Sequence, residues 1–489
     1  MKIAKSLLLS LIIVMSLSTA VESFIIDSTS ATVSDSSAAP TPEFFSSCSR
    51  SHTPLKMGAN VDVPFCAEAF AGSDIAAPCH VQINRLEHDN GEMGYDVSSA
   101  RGWMEHIEQC DGPLYGVGAY TVLRCDASYT KHKCNWKIWG FEFHMRRLWS
   151  SYRMLIETLG SDFDIAASCE IESARRTDSV INSLLDEATL SLIESIQETH
   201  HVDLQAGHFA RTLMLTVLWS PSRNDANSNS KESEIIIRGH ATFSGAPRPQ
   251  FCTEDSLPSP ISACLAIPSD PTAEAMALLP RRHRNDDSGQ DQPTQMVGAS
   301  AKVSSWCRAR RPLEDSTRFK VPGSGVGEVL LVGGVRNKDF DDAHNFIDTL
   351  EILEGLIANF FVIYKDGTVR TAPLPTVLSG YARHLVLDVI NEVQELVLDD
   401  SNAPTVQDAK DGLWSEVFVT SSIKLIIPVN RVLIPPVEGM ESTILWQSDC
   451  RGPNYYPFTQ LILSGILQGE YMRGSPSRRD AKLAPNAVT

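Results

Sequence analysis

Between residues 136 and 160 the chain reads WKIWGFEFHMRRLWSSYRMLIETLG. Met145, Leu148, Tyr152, Leu155 and Leu159 recur there at spacings of three and four. That period sets them on one face of an amphipathic helix. A second helix over about 174–200 turns Val180, Leu184, Ile193 and Ile196 inward on the same period. Before the first helix, GAYTVLRC (118–125) reads as a strand that runs into the turn-rich DASYTKHKCN (126–135). After the second, ARTLMLTVLWS (210–220) and SEIIIRGHATF (233–243) read as strands on either side of the polar loop PSRNDANSNSKE.

The pattern then changes. Residues 246–297 are rich in Pro and Ser, with one short helical patch at Ala273–Leu279, and read as an insert or linker. From residue 298 strands dominate: GEVLLVGG (327–334), EILEGLIANFFVIY (351–364) and SEVFVTSS (415–422), which leads to IIPV. YKDGTVR supplies a hairpin turn at Lys365–Thr368, and a helix starts after Gly380 in SGYARHLVLDVINEVQEL. RNKDFDDAHNFIDT (336–349) is an acidic insert. The expected organisation is a leader of unclear structure (25–100), a small α/β domain (101–245), the insert (246–297), a large β-rich domain (298–470) and a flexible tail (471–489). The fold class is α/β of the α+β kind.

The first residues, MKIAKSLLLSLIIVMSLSTAVESF, combine Lys2 and Lys5 with an apolar run from Leu7 to Leu17 and the small residues Ser18-Thr19-Ala20. This is the layout of a secretory signal peptide over 1–24, and the run is short for a membrane span. Residues 25–42 are rich in Ser, Thr and Ala, and Ser23-Phe24 resembles the junction of bipartite plastid presequences in algae with secondary plastids. The chain is expected to enter the secretory route and end in a plastid, in the endomembrane system or outside the cell. Its mature form is expected to be soluble and not membrane-bound.

Composition narrows the function classes. The 489 residues carry 60 acidic and 42 basic side chains, a formal charge of −18, which argues against a nucleic-acid partner. PRRHRN (280–285) and RARRP (308–312) are local basic clusters, and the first reads as a solvated loop face. The eleven cysteines include no CxxC pair and read mainly as buried free thiols. Some of those between Cys48 and Cys134 are placed to pair if the compartment is oxidising, whereas a reduced plastid suits unpaired thiols. His200, His201 and His208 lack an acidic or Cys partner at ligand spacing, so no metal is expected. Gly323, Gly325 and Gly327 precede a strand, where a dinucleotide fingerprint needs them to follow one. No G-x-S-x-G elbow occurs.

The positions that carry chemistry start from Glu354. All residues from Ile352 to Ile363 are apolar, small or glycine except Glu354 and Asn359. A buried, unpaired carboxylate costs roughly several kcal/mol, so Glu354 needs a partner, and no Lys or Arg stands near it in sequence. A protonated pyridine nitrogen would serve, and a pyridinium needs such a carboxylate to act as an electron sink. That chemistry belongs to pyridoxal phosphate (PLP) and further requires a Schiff-base lysine and a phosphate cradle. Lys302, in GASAKVSSWCRARRPLE (298–314), follows small residues that let a cofactor approach. Gly380-Tyr381-Ala382 open a helix whose amides can bind an anion. Ser421 and Ser422 end a strand with hydroxyls and amides, and Arg147 can add a forked contact.

The order of these pieces resembles the class IV, branched-chain-type, family of PLP-dependent aminotransferases. GAYTVLRC with FEFHMRRL, ASAKVSSW, LEGLIANFFVIYKDGTVRTAP with VLSGYARHLVLD, WSEVFVTSSIKLIIPV and CRGPNYYPFTQLI carry the likeness over roughly 110–470. It is most similar to the plant and algal branched-chain-aminotransferase-like subgroup. The resemblance implies a two-domain class IV fold, like that of D-amino acid aminotransferase, with PLP in the interdomain cleft of a homodimer. It implies Lys302 as the catalytic lysine and Glu354 as the partner of the pyridine nitrogen. Arg147, the amides of Tyr381 and Ala382, and Ser421 and Ser422 would hold the phosphate, with Leu378 against the ring. It implies transamination between an amino acid, branched-chain among the options, and a 2-oxo acid. Two further readings share the scaffold: a lyase resembling aminodeoxychorismate lyase, which releases pyruvate, and a non-catalytic relative. The sequence departs from the family in Tyr381-Ala382 for Ile-Thr, in TSSIKL (420–425) for SGTAAE, and in Cys307 where a Tyr is common.

Overall fold

The computed structural model describes residues 65–71, 81–85, 99–111, 117–130, 133–158, 167–198, 209–221, 235–244, 257–267, 301–310, 313–314, 326–333, 347–348, 350–374, 376–436, 442–448, 456–472 and 481–482. All of them lie in one compact unit, Val61–Thr489. The expected signal peptide, the patch at 273–279, PRRHRN, most of the acidic insert, and His200, His201 and His208 lie outside the described residues.

Two sheets organise this unit. The first is seven-stranded and antiparallel throughout, in the order β16-β4-β3-β5-β6-β1-β2. Its strands are β1 (Cys66–Ala71), β2 (Val81–Arg85), β3 (Ala119–Thr130), β4 (Lys133–Ile138), β5 (Phe209–Pro221), β6 (Ile235–Ser244) and β16 (Ala481–Lys482). Its long central strands alternate in the way one packed face demands. Leu123, Cys125, Leu213, Leu215, Val217 and Ile237 bury against α2 (Phe141–Thr158) and α3 (Ala167–Glu198). Those helices return Met145, Leu148, Tyr152, Val180 and Leu184 to the same core, as their spacing predicts. On the opposite face, Tyr120 and Leu218 pack on Trp103, Met104 and Ile107 of α1 (Ala100–Asp111).

The second sheet is nine-stranded and mixed. Its path runs β12 (Val397–Asp399), β11 (Thr368–Arg370), β10 (Asn359–Tyr364), β13 (Trp414–Ser421), β14 (Leu425–Ile434), β7 (Ile261–Leu265), β8 (Val326–Gly333) and β9 (Glu351–Gly355). Beside β14 lies β15 (Thr443–Gln447), and β9 also pairs with β10, so the path from β10 round to β9 closes on itself. Every residue of β10 is buried. Phe360, Val362 and Tyr364 fill one core with Val406 of the short helix α6 (Val406–Lys410), whereas Phe361 and Ile363 fill another with α5 (Tyr381–Ile390) and α7 (Pro457–Met472). Burial on both faces explains the nearly continuous apolar run.

Several segments differ from the sequence expectation. Asp126–Thr130 continues β3, and β4 begins at Lys133, because the polar residues of DASYTKHKCN alternate with buried Ala127 and Cys134. The stretch 246–297, expected as linker, contributes β7, a short strand parallel to both its neighbours and buried from Ser262 to Leu265. The leader contributes β1 and β2, and the tail contributes β16, strands too short or Ala-rich to announce themselves by period. Cys66, Cys125 and Cys134 are free thiols. No described helix is long and apolar enough to cross a membrane.

One contact fixes where α2 meets α5. Gly140, between β4 and α2, has φ +58, and a Cβ there would stand 2.3 Å from the Tyr381 ring. Tyr381, 4% exposed, thus lies in a space that only glycine leaves open. Gly140→Ala should cost roughly 2–4 kcal/mol, combining left-handed strain with overpacking. Denaturant midpoints check this, and Tyr381→Ala in the Gly140→Ala background should recover the steric share.

Candidate active site

Lys302 reaches the site because its segment completes the first sheet. β4 pairs with β3 from Cys125 to Thr130, leaving the start of β3 uncovered on that side. The lysine segment fills the gap. Tyr120 N–H donates to Lys302 O (2.9 Å), Ser304 N–H to Gly118 O (2.8 Å) and Gly118 N–H to Ser304 Oγ (2.9 Å). Ser151 Oγ on α2 accepts Lys302 N–H at 3.0 Å. With its backbone pinned on two sides, Lys302 lays its Nζ 5.1 Å from the ring centroid of Tyr120. Burial pulls this amine down to about 7, and the charges of Arg147 and Arg310 add to the effect, while the Glu354 charge opposes it.

Glu354 is 6% exposed on β9. Its register partner on β10 is Asn359, whose own partner on β13 is Thr420, so the three side chains share one face. Glu354 Oε2 accepts Leu378 N–H at 3.0 Å and Asn359 Nδ2 at 3.3 Å, and Asn359 Nδ2 also donates to Leu378 O at 2.8 Å. These two neutral donors lie beside Glu354, and its charge is felt at Lys302 and at Arg383. Thr420 Oγ1, buried beside Asn359, has no hydrogen-bond partner among the described residues. Leu378 enters through its main chain, which is committed to Glu354 and Asn359.

Arg147 stands on α2, 8% exposed. Nη1 donates to Ser379 O (3.2 Å), just ahead of α5, and Nη2 to Thr121 Oγ1 (2.9 Å). The same Nη2 lies 3.3 Å from His144 Nδ1, which is 2.7 Å from Thr121 Oγ1. A guanidinium only donates, so Nδ1 accepts and the ring proton is assigned to Nε2. Burial, then the charges of Arg147 and Lys302, push His144 well below its ordinary value, so it stays neutral. Burial also draws Arg147 down to about 10.

The start of α5 completes the arrangement. Gly380 is its N-cap and supplies no side-chain cap, and the first helical bond is His384 N–H to Gly380 O. The amides before His384, those of Tyr381 and Ala382 among them, therefore carry no intrahelical bond. A Cβ on Gly380 would lie 2.2 Å from Asn359 Oδ1, so the close approach of α5 to the Glu354 row requires glycine. A guanidinium, an amine and the positive end of a helix are thereby gathered in one place, an arrangement that favours an anion. Arg147 Nε and His144 Nε2, both buried, have no hydrogen-bond partner among the described residues.

The structure thus gathers Lys302, Glu354, Arg147, Leu378, Tyr381 and Ala382. Ser421 and Ser422 sit in the β13–β14 turn, next to Thr420. Ser421 Oγ accepts Lys424 N–H (3.2 Å), and among the described residues Ser422 makes no hydrogen bond. Sequence reasoning passed over Thr121, His144, Ser151, Asn359 and Thr420. Only His144, three residues before Arg147 on a helix, carried a positional signal; the others read as ordinary strand or helix residues.

No family profile and no curated protein matches the chain. Solved structures do show a likeness. The T.th. branched-chain amino acid aminotransferase complexed with N-(5'-phosphopyridoxyl)-L-glutamate is 13% identical, with 84% of this chain and 95% of that one covered and a TM-score of 0.43. The branched-chain aminotransferase of Thermoproteus uzoniensis with norvaline is 16% identical over 80% and 95%, at 0.41. The PLP form of the Thermobaculum terrenum enzyme is 13% identical over 84% and 94%, at 0.41. At identities and scores this low, the function rests on the chain's own residues.

Arg147 and Glu354 act on Lys302 in opposite directions, which gives a test. Lys302 should be acylated by an amine reagent with a midpoint near pH 7, while exposed lysines react only at far higher pH. Arg147→Gln should move that midpoint up and Glu354→Gln should move it down, read by peptide mass spectrometry across pH 5–10.

Proposed function

We propose that the chain is a PLP-dependent aminotransferase of the class IV type, exchanging an amino group between an amino acid and a 2-oxo acid, and working as a homodimer. The observation that carries this reading is the placement of the Lys302 amine, 5.1 Å from the Tyr120 ring centroid, where buried Glu354 and buried Arg147, beside a helix start with no side-chain cap, act on it in opposite directions.

The residues fit the cofactor. Arg147 with the amides of Tyr381 and Ala382 suits a phosphate, and Glu354 suits a protonated ring nitrogen. The unpartnered Thr420 Oγ1 and Arg147 Nε are buried polar atoms for which the described residues provide no acceptor or donor. Bound there, PLP supplies an electron sink for the bond broken at the substrate's α-carbon.

The chain's own residues do the rest. Leu378 N–H and Asn359 keep the Glu354 carboxylate oriented. Lys302 Nζ, half neutral near pH 7, can take a proton from the α-carbon and return it, the condition for efficient general acid–base work at that pH. Thr121 and neutral His144 hold the Arg147 fork without adding a competing charge. Ser151 and the start of β3 fix the lysine backbone so that only its side chain moves.

Purified protein incubated with PLP should gain the visible absorbance of a lysine-bound pyridoxal, and borohydride reduction should attach the cofactor to the peptide containing Lys302. Lys302→Ala should lose both signals. Protein that stays colourless would overturn the proposal. Amino-acid turnover that depends on an added 2-oxo acid supports the aminotransferase, whereas pyruvate release without an acceptor identifies the lyase.

A further inference from the structure

The basic cluster RARRP has no part in the cofactor site, yet its Arg310 is buried, 9% exposed. It follows the short helix α4 (Ser305–Ala309), where Cys307 N–H donates to Ser304 O (2.9 Å) and Arg310 N–H to Trp306 O (3.0 Å). Three residues apart, Cys307 and Arg310 share a face of this turn. Cys307 Sγ lies 3.7 Å from the hydroxyl of Tyr120, and the ring of Tyr120 carries the Lys302 amine. The Arg310 charge is felt both at that hydroxyl and at that amine.

What faces Arg310 pairs with its Nε and leaves its Nη groups without a described partner. Glu314 Oε1 lies 3.2 Å from Nε, but the other oxygen of Glu314 is taken by Arg101 Nη1 at 2.5 Å, and Arg101 in turn holds Glu105 at 3.2 Å. Glu328 on β8 also faces the cluster. Burial raises its carboxyl to about 7, and Oε1 accepts Val329 N–H and Leu356 N–H. Cys307 and Tyr120 are kept neutral by burial, and Lys302 is a cation or neutral. No hydrogen bond links the Arg310 guanidinium to any described residue, and its Nε is buried without one. The Nη groups of the other buried arginines are engaged, Arg383 giving Nη2 to the Ala372 carbonyl. Arg147 serves Thr121 and Ser379, and Arg124 serves Asp126, Thr212 and the carbonyl of Ile423. A planar guanidinium whose Nη donors reach no described residue matches a carboxylate in a two-pronged contact.

We propose that Arg310 receives a carboxylate of the amino acid or 2-oxo acid that reacts at Lys302; this rests on the function proposed above. The carboxylate is either the one on the α-carbon or a second one at the end of an acidic side chain, and the shared chemistry is what Arg310 selects.

The test titrates PLP-loaded protein with two unreactive acids, glutarate and isovalerate, following the cofactor band and, independently of it, the heat of binding. Arg310→Gln should weaken binding at least tenfold, with Arg310→Lys between it and the parent protein. Loss confined to glutarate assigns Arg310 to a side-chain carboxylate; equal loss for both acids assigns it to the α-carboxylate. Arg310→Gln/Glu314→Gln, which removes both members of the ion pair, should show the same loss and guards against a folding defect in the single variant. Unchanged affinity in the Arg310 variants, or no binding of either acid to the parent protein, would overturn the inference. A parent protein with no cofactor band would instead count against the proposed function, and calorimetry would still read the dependence on Arg310.

Discussion

Glu354 faces Asn359 across the register pair that joins β9 to β10, and the two together hold Leu378 by its N–H and its carbonyl. That pair closes the strand path of the second sheet and also anchors the chain that leads into α5. Closure and site are therefore one constraint. A carboxylate in this position would be costly in an apolar strand, and the N–H donors of Leu378 and Asn359 offset part of that cost. Asn359 belongs to the same arrangement. Its side chain spans the carboxylate and the Leu378 carbonyl, and the absence of a side chain at Gly380 lets α5 come close enough for both bonds to form. Moving any member of this row would shift the helix start on which the anion site depends.

Charge balance explains why the remaining site residues are where they are. Arg147 and the start of α5 are both positive, and Lys302 stands close enough to feel Arg147. Without an anion this grouping is unfavourable, and the amine yields first, because a lysine can lose its proton while an arginine hardly can. His144 gives way for the same reason and stays neutral. The low amine pKa is thus a product of the cations around it as well as of burial. An enzyme that needs a lysine able to exchange protons near neutral pH obtains it from the same arginine that would hold the phosphate.

Much of this was legible in the sequence where a residue's chemistry conflicts with its surroundings. Glu354 in an apolar strand is such a conflict; Lys302 and Arg147 stand out only beside it and through the family resemblance, and the structure brings the three together. The long elements were legible from their period. What the sequence concealed was non-local. Residues 261–265 are a strand only because β14 and β8 lie on either side of them. Thr121 and Thr420 matter through cross-strand neighbours far away in sequence, and a threonine in a strand carries no local mark of that. Arg310 looked like one more residue of a basic cluster because burial, not composition, is what sets it apart.

The turn at Ser421–Leu425 shows how a departure from the expected pattern is absorbed. Ser421 pairs with Leu425 across the hairpin, and Leu425 has φ 59, a left-handed conformation that this hairpin geometry would ordinarily give to glycine. Burial of Leu425 in the core shared with α5 and α7 offsets the strain, which is about 1–3 kcal/mol for a residue of this kind. Arg124 reaches over from the first sheet to the Ile423 carbonyl, and Asp126 and Thr212 hold its guanidinium in place. The turn is thus fixed by its carbonyl, and Lys424 N–H is already committed to Ser421. A turn fastened this way has less to offer an incoming carboxylate than one of small residues with open amides. Among the described buried arginines, Arg310 is the one whose Nη groups donate to no described residue, and the proposed carboxylate contact falls there.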